Sequence, residues 1–197
     1  MDEQSEREPA AERDRAERAL EEWLTTSGVE HSAGARPGEY VVALPGEAKL
    51  STTVSLLLSD RGLSASAFVV RRPDENHEAF YRWLLTRNSR LPGVAFALDP
   101  LGDVYLVGRL PVQGVTPDTV DDLLGSLLAT TDTAFNDLLA LGFLSSMRRE
   151  WRWRVDRGES TRNLEAFRHL LDVPVPDEPV PGERARPDAA QPDDAGG

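Results

Sequence analysis

Three β-rich runs follow one another with almost nothing between them: Glu39–Pro45 (EYVVALP), Lys49–Asp60 (KLSTTVSLLLSD) and Leu63–Arg72 (LSASAFVVRR). Pro37-Gly38 precedes the first, and the joints Pro45-Gly46-Glu47-Ala48 and Asp60-Arg61-Gly62 carry turn residues. A parallel pairing would need a connection of about a dozen residues or more, so the chain here is committed to an antiparallel meander of three strands.

The rest of the fold is read outward from that meander. Upstream, Ala16, Ala19, Leu20, Trp23 and Leu24 recur at helical spacing and Gly28 suits a left-handed C-cap, which predicts a first helix. Downstream of Pro73 the period changes. In NHEAFYRWLLTRNSRL, Ala79, Phe80, Trp83 and Leu84 share a stripe, and Asp74 and Glu75 are placed for the helix N-terminus. Then GVAFALDPLGDVYLVGRLP predicts a hairpin, with Val94, Phe96 and Leu98 facing one way and Gly102 taking a positive φ in the turn. Thr116 and Pro117 open the longest apolar pattern, Val120, Leu123, Leu124, Leu127, Leu128, Ala134, Leu138 and Leu141, which Gly142 interrupts. The predicted order is α-β-β-β-α-β-β-α: an α+β fold with a five-stranded antiparallel sheet and packed helices.

Charge divides the 197 residues into three parts. Residues 1–15 form a charged N-terminal extension, and Met1–Arg18 as a whole carries seven acids against four bases. Residues 172–197 carry seven acids, two bases and six prolines, the composition of a disordered tail. Residues 16–171 are expected to make a single domain, including an Arg/Trp-rich helical segment at its end. The net charge of -12 disfavours polyphosphate over most of the surface. Cysteine is absent, and no apolar run approaches the ~20 residues that span a bilayer. Those features suit a cytoplasmic protein with no membrane contact.

Chemistry is sparse. Glu75, His77 and Glu78 crowd a strand-to-helix junction beside Arg71 and Arg72, but their spacing does not set two ligands one helical turn apart with a third nearby; capping and surface charge explain them. Asp99 and Asp103 flank Gly102 without the remaining oxygens of a calcium loop. The serines alternate along strands without a nucleophile elbow, and no glycine stands in a phosphate-loop context. No catalytic residue, cofactor or metal is expected.

The densest feature is SSMRREWRWRVDRG, with Arg148, Arg149, Arg152, Arg154 and Arg157 against Glu150 and Asp156. A helix running from Ser145 or Ser146 to Gly158 places Leu144, Met147, Trp151 and Val155 on one face, so Trp151 packs inward. Trp153 lands almost opposite, between Arg149 and Arg157 at i-4 and i+4, where it stacks on guanidinium groups or meets another surface. Contact with an acidic segment suits this helix better than nucleic acid does.

The run Val70–Pro111, above all RRPDENH, LLTRN and LGDVYLVGRLP, followed by FNDLLALGF and SMRREWRWR, resembles the actinobacterial-type members of the YbjN family. The resemblance covers roughly Ala16 to Arg157. It implies the fold of type III secretion chaperones, whose element order agrees with the one above. It also implies a non-enzymatic, protein-binding adaptor with chaperone-like character, linked to stress response or regulation, and a homodimer. Arg71, Arg72, Asn76 and His77 match the family signature and, with Arg149, Trp153 and Arg157, are the candidate partner-binding residues. The contrasting expectation is a ligand-responsive regulator that takes a phosphorylated metabolite or nucleic acid through Arg148–Arg157. Whether the leucine stripe Val120–Leu141 is core or dimer seam stays open at this point.

Overall fold

A computed structural model describes residues 3–171. The acidic proline-rich segment 172–197 lies outside the described residues. Helix α1 (Glu3–Thr26) is followed by strands β1 (His31–Ala33), β2 (Glu39–Pro45), β3 (Ser51–Ser59) and β4 (Gly62–Val70). Helix α2 (His77–Asn88), the hairpin β5 (Val94–Leu98) and β6 (Val104–Pro111), α3 (Pro117–Gly142), α4 (Leu144–Arg157) and the short α5 (Arg168–Leu171) complete it. The charged extension up to residue 15 continues α1 toward the N-terminus.

The sheet is antiparallel throughout, in the order β1-β2-β3-β4-β6-β5. Among the described residues it has six strands rather than the five expected. The added strand, β1, is three exposed residues paired to the edge of β2, too short to carry an alternating pattern. The α+β class and the order of the other elements are as read from the sequence.

Helices cover one face. Inward residues Val42, Val54, Leu56, Ala65, Ala67, Val104 and Leu106 are buried beneath Leu20, Phe80 and the α3 stripe. Val120, Leu123, Leu124, Leu127, Ala134 and Leu138 of that stripe are all buried in this core, which answers the question left by the sequence: the stripe is core. Trp23 ties α1 to α3 by donating from Nε1 to Asp121 Oδ1 at 3.0 Å. Outward residues on the opposite face, Val41, Ser55, Ser66, Val107 and Ala95, lie in one cross-strand row and are only half-buried. A second, smaller cluster joins α4 to the C-terminal turns through Met147, Trp151, Leu164, Phe167 and Leu171, with Leu139 and Ala140 of α3 at its edge. Trp151 packs as expected, but Val155 is 55% exposed, because this cluster ends a turn before it.

Candidate functional site

The segment Arg71–Asn76 leaves β4 and meets the place where α3 stops. Gly142 is the last residue of α3, and nothing larger fits there: a Cβ would sit 2.8 Å from the Phe80 ring and from Pro73 Cβ. The carbonyls freed at the end of α3 are then taken up by the signature segment. Asp74 N–H and Glu75 N–H both donate to Gly142 O, at 2.9 and 3.2 Å, and Asn76 Nδ2 donates to Leu141 O at 3.0 Å. Asn76 holds a left-handed conformation, φ 53°, tolerable for asparagine and unfavourable for most side chains.

The acids of the same segment cap α4, far along the chain, rather than α2, which follows them directly. Glu75 accepts from Ser145 N–H at 2.7 Å and from Ser145 Oγ–H at 2.6 Å, and Asp74 accepts from Ser146 Oγ–H at 2.8 Å. Two carboxylates therefore sit at the N-terminus of α4, where free N–H groups favour negative charge. The sequence assigned Asp74 and Glu75 to α2, the helix that follows them. That assignment is corrected: α2 begins after Asn76, which makes no side-chain cap, and the caps cross about 70 residues to α4.

Arg71 pairs with Asp74 at 3.1 Å and places its guanidinium 5.3 Å from the Phe143 ring centroid. Arg149 Nη2 donates to Ser146 Oγ at 3.1 Å, which joins it to the same network. One and two turns along α4 stand Trp153, 45% exposed, and Arg157, whose guanidinium lies 4.8 Å over the Trp153 ring. Arg71, Arg149, Trp153 and Arg157 thus form one strip running from the loop along the outer side of α4. Gly158, at φ 67°, closes the helix as expected.

Arg72, Asn76 and His77 do not join that strip. Arg72 N–H donates to Asp103 Oδ1 at 2.8 Å and its side chain covers Gly102, where a Cβ would come within 3.1 Å of it. Asn76 is spent on Leu141. His77 stacks on Tyr81 with ring centroids 6.2 Å apart, in an open groove of about 810 Å³ along α2 that also involves Arg82, Trp83 and Arg87. Asp99 accepts from the N–H groups of Leu101 and Asp103, so both aspartates of that hairpin serve the backbone. Among the described residues, no group of three or more His, Asp or Glu side chains is placed to hold a metal ion, and no helix is long and apolar enough to cross a membrane.

The sequence reading missed the capping role of Glu75 and the position of Lys49, the chain's single lysine, between two phenylalanine rings. Neither is signalled locally, since both depend on partners far along the chain.

Residues 18–140 match the model of the YbjN family, described as "Putative bacterial sensory transduction regulator". The family match covers the run Val70–Pro111 on which the resemblance chiefly rests, and stops before α4. An uncharacterised protein of Mycobacterium tuberculosis is 48% identical over 158 residues, spanning 78% of this chain and 86% of its own. One from Mycobacterium leprae is 45% identical over 163 residues, spanning 76% and 89%. Among solved structures, a chain from the crystal structure of the ExsC-ExsE complex aligns at a TM-score of 0.48 with 21% identity, over 64% of this chain and 94% of that one. A likeness that distant bears on neither partner nor activity.

Proposed function

The chain belongs to the YbjN family, and on that premise we propose that it is a non-enzymatic cytoplasmic adaptor with chaperone-like character, serving stress response or regulation. Its partner is a polypeptide with an acidic, extended segment, which docks on the outer strip of α4. The observation that carries this reading is Trp153. It stands half-exposed on a helix capped at both ends, with Arg157 stacked on its ring and Arg149 one turn before it. A large aromatic side chain fixed beside cations is the composition of an interface hot spot, and a carboxylate-bearing segment supplies the complementary charge.

Arg71 supports the strip by pairing with Asp74, whereas Arg72, Asn76 and His77 support the loop and groove behind it. The homodimer implied by the family resemblance cannot use the α3 stripe, which is already buried. It has the open sheet face to use, where the row Val41, Ser55, Ser66, Val107 and Ala95 presents short side chains.

Native co-purification tests the partner proposal. The expectation is that Trp153→Ala and Arg157→Glu lose a partner that the unaltered chain retains, with the melting temperature unchanged. An identical set of partners for all three chains would remove this strip as the docking surface. Retention on DNA that disappears in both variants and weakens steeply with salt would favour the nucleic-acid reading instead.

A further inference from the structure

We infer that the groove between the β2–β3 loop and the C-terminal end of α4 binds a small organic anion, a carboxylate attached to an apolar body, through Lys49, Arg154 and Arg162. The groove encloses about 800 Å³, within the range of small-molecule sites. In a chain of net charge -12, its lining among the described residues holds three cations and no carboxylate.

Each cation has a defined place. β4 bulges between Phe68 and Val70, and Lys49 Nζ donates to the carbonyls of Phe68 and of Val69, the latter at 3.1 Å. The same ammonium lies 5.0 Å from the Phe68 ring centroid and 5.9 Å from that of Phe135. It is therefore anchored at the groove instead of extending into solvent. Asp132, the acid that touches this loop, is turned to the backbone and accepts from Ala48 and Lys49 N–H, both at 2.9 Å. Arg154 is paired with Glu150 at 2.7 Å and donates to Ser160 O at 2.8 Å, so it brings the groove a fixed guanidinium with N–H donors to spare and leaves the uncompensated charge to Lys49 and Arg162. The Arg162 side chain has no hydrogen bond or ion pair among the described residues. Burial draws the Lys49 ammonium down to about 8, an added sign that it lacks a countercharge.

The apolar half of the ligand follows from the other walls. Phe135 forms part of the lining, and Leu50 at the mouth is 84% exposed, a leucine left in water. Inorganic phosphate would satisfy the cations and leave these side chains unused. A neutral apolar molecule would strip water from three charges with no return. An amphipathic anion meets both walls. Because the lining comes from β3, α3, α4 and the turn after α4, such a ligand also ties the smaller C-terminal cluster to the sheet. This site is separate from the Trp153 strip.

Octanoate is the probe, titrated by calorimetry into the full chain beside octan-1-ol and inorganic phosphate. Octanoate is expected to saturate one site, with the other two at least about tenfold weaker, the scale of one charge-assisted contact. Arg162→Gln should weaken octanoate about tenfold with no change in melting temperature. An independent readout uses the single lysine: octanoate should slow acylation of Lys49 by an amine-reactive ester, followed on the peptide by mass spectrometry. Equal binding of octan-1-ol, equal binding of phosphate, no saturable binding of octanoate, unchanged affinity in Arg162→Gln, or an unprotected Lys49 would each overturn the proposal.

Discussion

Glu75→Ala should loosen α4 while leaving the sheet almost untouched. The carboxylate makes two bonds, to Ser145 N–H at 2.7 Å and Ser145 Oγ–H at 2.6 Å, across the first turn of α4. Loss of a helix N-cap costs about 1 kcal/mol, and loss of a negative charge from a helix N-terminus costs about 0.3–1 kcal/mol more. The combined cost is about 1–2 kcal/mol. It falls on α4 because that helix packs mainly in the small cluster of Met147, Trp151, Leu164, Phe167 and Leu171, which meets the main core at Leu139. Local opening of such a unit proceeds without global unfolding. Native-state hydrogen exchange followed by mass spectrometry reads it directly: amides of Leu144–Arg157 should exchange about tenfold faster, the equivalent of about 1.4 kcal/mol, with β3 and β4 changed by less than about twofold. Glu75→Gln, which keeps an acceptor and loses the charge, should fall between. An unchanged α4, or equal acceleration of α4 and the sheet, would refute the assignment of Glu75 as the cap of a separable helix.

Further expectations follow from other contacts. Gly142→Ala forces a methyl group to within 2.8 Å of the Phe80 ring and Pro73, so thermal unfolding should show a loss of about 1–3 kcal/mol, with Phe80→Leu partly restoring it. Glu39 is held down to about 2, first by its side-chain bond with Arg36 and then by that with Ser55; its stabilisation is present above the ordinary carboxylate range and is lost as pH falls from about 4.5 through about 2. Urea unfolding should accordingly show Glu39→Gln less stable than the unaltered chain at pH 6 and converging with it near pH 2. If the open sheet face carries the homodimer, Ser66→Arg should give the monomer mass by light scattering, and a dimer that survives it would place the contact elsewhere.

Much of the fold was legible because its periods are local. The turns at Asp60-Arg61-Gly62 and Asp99–Asp103, the Thr116 cap with Pro117, and the break at Gly158 all lie where short-range chemistry demands them, whereas Gly142 marks its break because Phe80 and Pro73 crowd it. What escaped was β1, which is three exposed residues recruited by the edge of β2, and the destination of Asp74 and Glu75. Capping rules read along the chain point to the nearest helix, whereas tertiary packing brought the N-terminus of α4 to these acids. The candidate residues divided for the same reason. Arg149, Trp153 and Arg157 are related by helical spacing, and their strip was visible in the sequence. The burdens of Arg72 and Asn76 belong to Asp103 and Leu141, which only the folded chain places beside them.

Asp74 and Glu75 of the family signature cap α4, and the role proposed for that helix is to hold a partner polypeptide on its outer strip. The most direct measurement of that role is site-specific photo-crosslinking in cells, with a photoreactive residue in place of Asp156, exposed on α4 beside Trp153, and separately in place of Ser66 on the open sheet face. A crosslink from position 156 to another polypeptide is expected, and it should disappear when Trp153→Ala is added. Crosslinks to a different polypeptide from position 66 alone, with none from position 156, would contradict it.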